Sequence, residues 1–355
     1  MPNPQRVPRA APPSVPAASA YIVGPAYDCA FFLLPPTFAL CLGILIADSG
    51  FANSELKFYD QDVTWSGLLI SVIIHAHLFA VFFRSHGNRA IRRLHPYRFL
   101  LVPIVLYLAM LSSPWVLISV SVLSTFWDVY HSALQTFGFA RIYERRAGND
   151  ALVGRRLDWH LNQLLYIGPI MAGATMMDHV EDFLEYDQLG ATFFTSIPGF
   201  MSVNQGYFTW AILIAGGAFL VYYVWAQRQL QRQGHHISMQ KVYLLVSTGL
   251  VSIYTWGFNT FGEAFFIMNL FHAIQYFGIV WAFEQRNLMT LFRVERLPFG
   301  KPLTAVLFLG IAGAYGFWVA ATDVGINALW AITLVVSIMH FWYDGFVWSV
   351  RKQQV

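Results

Sequence analysis

Ten apolar stretches separated by short polar segments dominate the pattern of this 355-residue chain. Most of them reach the roughly 20 residues that an α-helix needs to cross a bilayer. We therefore predict an all-α fold, a polytopic integral membrane bundle of about ten transmembrane helices. The predicted helices occupy residues 28–48, 64–85, 98–113, 115–141, 159–178, 206–227, 241–260, 263–284, 302–321 and 325–349.

Basic residues mark one side of these predicted helices. All 22 lysine and arginine residues except Lys57 lie before the first helix or after an even-numbered one. The positive-inside rule therefore places both termini in the cytoplasm and the acidic loop at 178–188 outside. This topology accounts for the net charge of +3 without nucleic acid as a partner, and we expect an integral protein of the bacterial inner (cytoplasmic) membrane.

Composition supports the membrane assignment. The chain is 57% hydrophobic and only 12% charged, whereas soluble domains are about one quarter charged. Residues 1–20 contain six prolines and no apolar run, so we predict a disordered cytoplasmic tail rather than a signal peptide. Residues 21–355 are predicted to form a single transmembrane helical domain, and the two cysteines predict neither a disulfide nor a zinc site.

Five histidines lie inside the predicted spans, all on even-numbered helices that run towards the cytoplasm. Counted from the basic residue that closes each helix, their depths fall within a band of about 10 Å. A shared ligand explains this common depth, whereas independent core histidines would not require it. The predicted metal ligands are His75, His77, His131, His272 and His340.

His75 and His77 compete for one place in this set. Two residues apart on a regular helix, their side chains point about 200° away from each other, so both cannot reach one ion. The depth of His75 matches the other histidines better, and we favour it slightly.

Acidic and amide side chains accompany the histidines at helical spacing. Asp128 and Gln135 flank His131, Gln275 follows His272 by three residues, and Asp344 follows His340 by four. Such groups orient a ligating imidazole or bind the metal themselves, so we assign them to the predicted active site. The remaining histidines, outside the spans, are predicted to be surface residues: His86, His95, His160, His179, His235 and His236.

A weak internal repeat relates two of the histidine segments. Residues 130–144 read Tyr-His-Ser-Ala-Leu-Gln-Thr-Phe-Gly-Phe-Ala-Arg-Ile-Tyr-Glu, and residues 271–284 read Phe-His-Ala-Ile-Gln-Tyr-Phe-Gly-Ile-Val-Trp-Ala-Phe-Glu. The two segments align when one residue is skipped. We expect them to form facing walls of one polar site.

Two of these segments resemble the bacterial Brp/Blh family of membrane β-carotene 15,15'-dioxygenases. The last predicted helix has His340-Phe-Trp-Tyr-Asp344 followed by aromatic residues, and the eighth has Phe271-His272 leading to Trp281, both similar to family segments. Tyr276 stands where the family has a second histidine, and Asp28 lacks that family's accompanying histidine. The resemblance implies an all-helical intramembrane iron–histidine enzyme, but not β-carotene as its substrate.

Three functions fit the sequence. The first is an iron-dependent membrane oxygenase acting on a lipophilic substrate that enters from membrane lipid; zinc or copper could replace the iron. The second is a transporter or channel for protons or metal ions, for which the repeat would be a parallel one. The third is a haem-binding electron carrier with two axial histidines. The oligomeric state is open.

Overall fold

The computed structural model describes residues 20–59, 61–150, 152–173, 175, 177, 193–322 and 327–348. The predicted tail, except for Ala20, and the predicted acidic loop at 178–188 lie outside these described residues.

The described chain is almost entirely helical, with one π-helix at Cys29–Leu33 and one small β-hairpin. The α-helices within the described ranges are α1 (Pro25–Asp28), α2 (Pro35–Ile46), α3 (Gly50–Asn53), α4 (Trp65–Ser85), α5 (Arg89–Leu94), α6 (Pro96–Ser112), α7 (Pro114–Arg146), α8 (Arg155–Tyr166), α9 (Gly168–Gly173), α10 (Phe193–Val203), α11 (Gln205–Arg232), α12 (Met239–Phe258), α13 (Phe261–Leu291), α14 (Gly300–Ala320) and α15 (Asn327–Val347).

Five of these helices, α4, α11, α13, α14 and α15, are long and apolar enough to cross a membrane. A sixth span is formed if the segments Pro25–Leu33 and Pro35–Ile46, which meet at a 50° bend, count as one. Such helices indicate an integral membrane protein. Within the described ranges the other predicted spans are also helical, but they are shorter, more polar or broken. The fifth is divided between α8 and α9 at Ile167.

The hairpin is the main departure from the predicted all-α fold. Strands β1 (Glu55–Phe58) and β2 (Gln61–Thr64) pair antiparallel, with Glu55 opposite Thr64, immediately before α4. Strands of four residues are too short to leave a reliable alternation in the sequence. The hairpin carries Lys57, the one basic residue assigned to the outer side.

Helix α13 lies at the centre of the bundle and packs against α2 and α4, while α4 also packs against α14 and α15. The first turn of α13 is fixed by a capping box between Thr260 and Glu263. At the α4–α14 contact, a Cβ on Gly316 would lie 2.1 Å from the Val72 carbonyl oxygen, so only glycine allows this close approach.

The C-terminal ends of α4, α13 and α15 meet at Arg84. Its guanidinium Nη1 lies 2.5 Å from Glu284 Oε1, and its Nε and Nη2 donate to the Val347 carbonyl at 3.0 and 2.9 Å. Arg84 also stacks over the ring of Trp348. These three helices therefore share one direction, as the common depth of their histidines requires.

Candidate metal centre

Four histidines from four different helices meet in the core of the bundle. They are His77 on α4, His131 on α7, His272 on α13 and His340 on α15. The ring centroids lie 4.9 Å apart for His77–His272, 5.0 Å for His77–His340, 4.7 Å for His131–His340 and 5.2 Å for His131–His272. We call these four residues the histidine cluster.

The ring nitrogens of the cluster face one another with few other partners. Neither nitrogen of His77 or His272 makes a hydrogen bond of normal geometry to the described residues, and both side chains are buried. His340 Nδ1 donates to the Leu78 carbonyl at 3.0 Å, so Nε2 of the neutral ring carries a lone pair. Ring nitrogens whose lone pairs converge in an apolar core lack hydrogen-bond partners. A bound cation would accept these lone pairs and so satisfy the nitrogens.

Asp344 adds a carboxylate to the cluster. Its Oδ1 accepts hydrogen bonds from Tyr276 Oη and Trp348 Nε1, both at 2.9 Å. Its Oδ2 lies 3.7 Å from His131 Nε2 and 3.8 Å from His340 Nε2. One oxygen is therefore held in place while the other faces the imidazoles, which is the arrangement of an oriented metal ligand.

Two overlapping groups of side chains in the described residues have metal-ligand spacing. In the groups His77–His272–His340 and His131–His340–Asp344, one ligand atom from each residue lies within 4.8 Å of the others. His340 belongs to both. Imidazole and carboxylate donors suit iron, zinc or copper, so the residues present fit a transition-metal ion.

The two predicted glutamines lie beside the cluster and contact each other. Gln135 Nε2 donates to Gln275 Oε1 at 3.2 Å and to the His272 carbonyl at 3.1 Å. Gln275 Nε2 in turn donates to the Phe32 carbonyl at 2.8 Å. The amides thus join α7 to α13, where the repeated segments face each other.

His75 and Asp128 lie outside the cluster, so the fold brings His77, and not the favoured His75, to the other three histidines. His75 and Asp128 line a cavity of about 700 Å³ that lies on the side of the cluster away from Arg84. His75 Nδ1 donates to the Ser71 carbonyl at 2.8 Å. The physical reason is the 200° separation: with His77 turned towards α13 and α15, His75 must point elsewhere.

A second polar cluster, not predicted from the sequence, lies where the C-terminal end of α7 meets the N-terminal ends of α8 and α12. Arg141 Nη1 lies 2.5 Å from Asp158 Oδ2, and Lys241 Nζ forms ion pairs with both Asp158 and Glu144. His235 Nε2 lies 2.8 Å from Glu144 Oε2, and its side chain is only 6% exposed. The prediction of His235 as a surface residue was therefore wrong.

His86 is likewise half-buried rather than on the surface. Its ring contacts Ser85 Oγ at 2.8 Å and the Phe99 carbonyl at 3.2 Å. Burial lowers the pKa of His86, and Arg92 lowers it further. The ring contacts Phe99 of α6 and Tyr343 of α15, so it packs α4 against both helices.

Tyr276 is a cluster neighbour that the sequence analysis named without assigning it to the site. Its ring contacts His340 at a centroid distance of 4.5 Å, and its hydroxyl holds Asp344. The available signal was its position, because the segments of Brp/Blh enzymes that this helix resembles have a histidine there.

No protein-family profile, curated protein or solved structure matches the chain.

Proposed function

We propose that this protein is an integral-membrane metalloenzyme, a non-haem iron oxygenase acting on a lipophilic substrate. The observation that carries the proposal is the histidine cluster with Asp344, because ionisable side chains at membrane depth are costly and mark functional sites. The ligands would come from the two overlapping groups described above, His77–His272–His340 and His131–His340–Asp344. Bound iron would supply the activation of O₂, and the surrounding apolar core would exclude water.

The cavity supports a substrate of this kind. Leu78 and Phe341 line it, and the Phe341 ring packs against His131 at a centroid distance of 5.0 Å. A molecule in the cavity would therefore be separated from the cluster by a single layer of side chains. A cavity of about 700 Å³ is within the usual range for a small-molecule site.

The packing of the cluster favours a single ion over haem. The imidazole rings contact one another directly, with centroids 4.7–5.2 Å apart in the four pairs given above. Axial haem ligands approach from opposite faces of a wide macrocycle, which this close packing would not admit. The local resemblance to Brp/Blh enzymes supports the same choice of non-haem iron.

The proposed topology is ten spans with both termini in the cytoplasm, in a bacterial inner membrane. It rests on the partition of the basic residues. The meeting of three helix ends at Arg84 supports the parallel direction of α4, α13 and α15.

Transport of protons or metal ions is a second candidate, favoured by two ionisable residues of the cavity wall: Asp128 is three residues from His131 on α7, and His75 is two residues from His77 on α4. The two functions differ in metal retention. A transporter would exchange its ion readily, whereas an oxygenase would retain stoichiometric iron through purification.

Metal analysis and absorption spectroscopy of the purified protein test the proposal. We expect stoichiometric iron without a Soret band, and loss of that iron when His77, His131, His272 or His340 is replaced singly by alanine. His160→Ala is the matched control, because His160 is exposed and outside the cluster. Unchanged metal content in the four cluster variants, or a Soret band in the wild type, would overturn the proposal.

A further inference from the structure

The cavity beside the cluster has one strongly polar wall. On α7, Ser121, Ser124, Thr125, Asp128 and Ser132 all line it. These positions fall on one face of a helix, so a continuous polar stripe runs along the cavity. Much of the remaining lining is apolar, including Ile74, Leu334 and Phe341.

Asp128 is the unusual member of this stripe. Its carboxyl group has neither a hydrogen-bond partner nor an ion-pair partner among the described residues, although it lies in a helix through an apolar core. A carboxyl group in such surroundings is costly unless something pairs with it. An unpartnered carboxyl facing a cavity therefore points to a ligand.

His75 defines what that ligand must offer. A carbonyl oxygen can only accept, so the 2.8 Å contact with the Ser71 carbonyl assigns the proton to His75 Nδ1. In the neutral ring Nε2 is then an acceptor. Asp128 and His75 thus present acceptors to the same cavity and call for a donor on the ligand.

We propose that the cavity binds an amphipathic lipophile whose headgroup donates hydrogen bonds, a hydroxyl or a protonated amine, to Asp128 and His75. Its apolar part would occupy the space bounded by Ile74, Leu334 and Phe341. Identifying this ligand as the substrate rests on the proposed oxygenase function, whereas the binding itself does not.

The position of Asp128 also limits where the ligand meets the metal centre. Asp128 and His131 are three residues apart on α7, a rise of about 4.5 Å. The headgroup would therefore lie roughly one helical turn from the cluster. Atoms within a few bonds of the headgroup, not the far end of an extended chain, would face His131.

Binding of simple probes to the protein in lipid nanodiscs tests the inference, with retention on empty nanodiscs subtracted. The probes are 1-dodecanol, dodecylamine, dodecanoate and dodecyl methyl ether, which has no donor. We expect retention of the alcohol or the amine at least about tenfold above that of the ether and dodecanoate, because a missing donor leaves buried acceptors unpaired.

The variants assign the effect to the two acceptors. Asp128→Leu and His75→Phe should each lower retention of the favoured probe by about tenfold. Asp128→Asn keeps an acceptor but removes the charge, so it should weaken the amine more than the alcohol. Tyr130→Phe is the matched control, because it removes a hydroxyl from the exposed face of the same helix.

Equal retention of alcohol and ether by the wild type would overturn the inference, as would unchanged retention in folded Asp128→Leu and His75→Phe proteins. Gel filtration and a melting curve establish that each variant is folded. Metal content measured on the same samples separates the two proposals. Alcohol binding without metal would support the cavity assignment and contradict the oxygenase proposal. Bound iron with no headgroup preference would support the oxygenase proposal and contradict the cavity assignment.

Discussion

His131 and His340 bring their Nε2 atoms within 3.1 Å of each other, although they belong to α7 and α15. Nε2 of the neutral His340 ring carries a lone pair, because its Nδ1 donates to Leu78. The contact therefore needs a proton on His131 Nε2 or a cation shared by both rings. A bound metal would satisfy both rings and connect the two helices.

Metal removal should consequently destabilise the protein. We expect a chelator to lower the wild-type Tm, because a ligand that binds only the folded state stabilises it by mass action. The double variant His131→Ala/His340→Ala should have a Tm that does not respond to the chelator. Differential scanning calorimetry in detergent measures both, and a wild-type Tm insensitive to chelator after verified metal loss would contradict the prediction.

Asp344 should control metal affinity through its orientation. Asp344→Asn is expected to lower affinity by about 10–100-fold, because the oxygen facing His131 and His340 loses its charge. Tyr276→Phe and Trp348→Phe remove the donors to the other oxygen and should cause smaller losses. Competition with a metal-binding dye measures each affinity. Wild-type affinity in Asp344→Asn would show that the carboxylate neither binds nor orients a ligand.

The buried ion-pair cluster should depend strongly on Lys241. Lys241→Met would leave Glu144 and Asp158 without one of their cations, at a cost of about 3–5 kcal/mol. Lys57→Met is the matched control, because Lys57 is exposed on the hairpin. We expect a markedly lower Tm for the first variant and little change for the second. Similar melting curves for the two variants would contradict the structure of this cluster.

Two glycines of α14 should differ in their tolerance of alanine. A Cβ at Gly316 would lie 2.1 Å from Val72 O, whereas at Gly313 it would meet nothing within 4 Å. Gly316→Ala should therefore push α4 and α14 apart and lower the Tm, while Gly313→Ala should be neutral or slightly stabilising, since alanine favours helix. Equal effects would refute the close approach of the two helices.

Labelling of single cysteines tests the orientation in the membrane. After replacement of Cys29 and Cys41, a cysteine at Asn88 or Asn149 should react with an impermeant maleimide only when the membrane is opened. Both sites adjoin basic residues that the positive-inside rule places in the cytoplasm. Reaction with intact cells or spheroplasts at either site would overturn the proposed topology.

The helices and the grouping of the histidines could be predicted because each depends on a feature that can be counted along the chain. Apolar runs of helical length appear directly in the hydropathy pattern, and a common depth can be counted from the basic residues. The depth of a residue along a helix does not say which side of the helix it lies on. The choice between His75 and His77 therefore rested on depth alone, and depth favoured His75. Only the packing of α4 against α13 and α15 decides which face of α4 turns inward.

Other features depend on contacts between residues distant in the chain. Lys241 meets Glu144 and Asp158 because α12 packs beside α7 and α8. No local spacing connects the three residues. Tyr276 was not assigned to the site for a related reason: tyrosines are common in membrane proteins, and its hydrogen bond to Asp344 exists only in the folded bundle.

The distribution of the four histidines over α4, α7, α13 and α15 has a consequence for biosynthesis. His340 lies on the last described helix, so the ligand set is incomplete until that helix has joined the bundle. The proposed ion would then be acquired after synthesis of α15, when the site is already surrounded by protein. Delivery would follow assembly, and a chain stalled before α15 would reach the membrane without the full set of ligands.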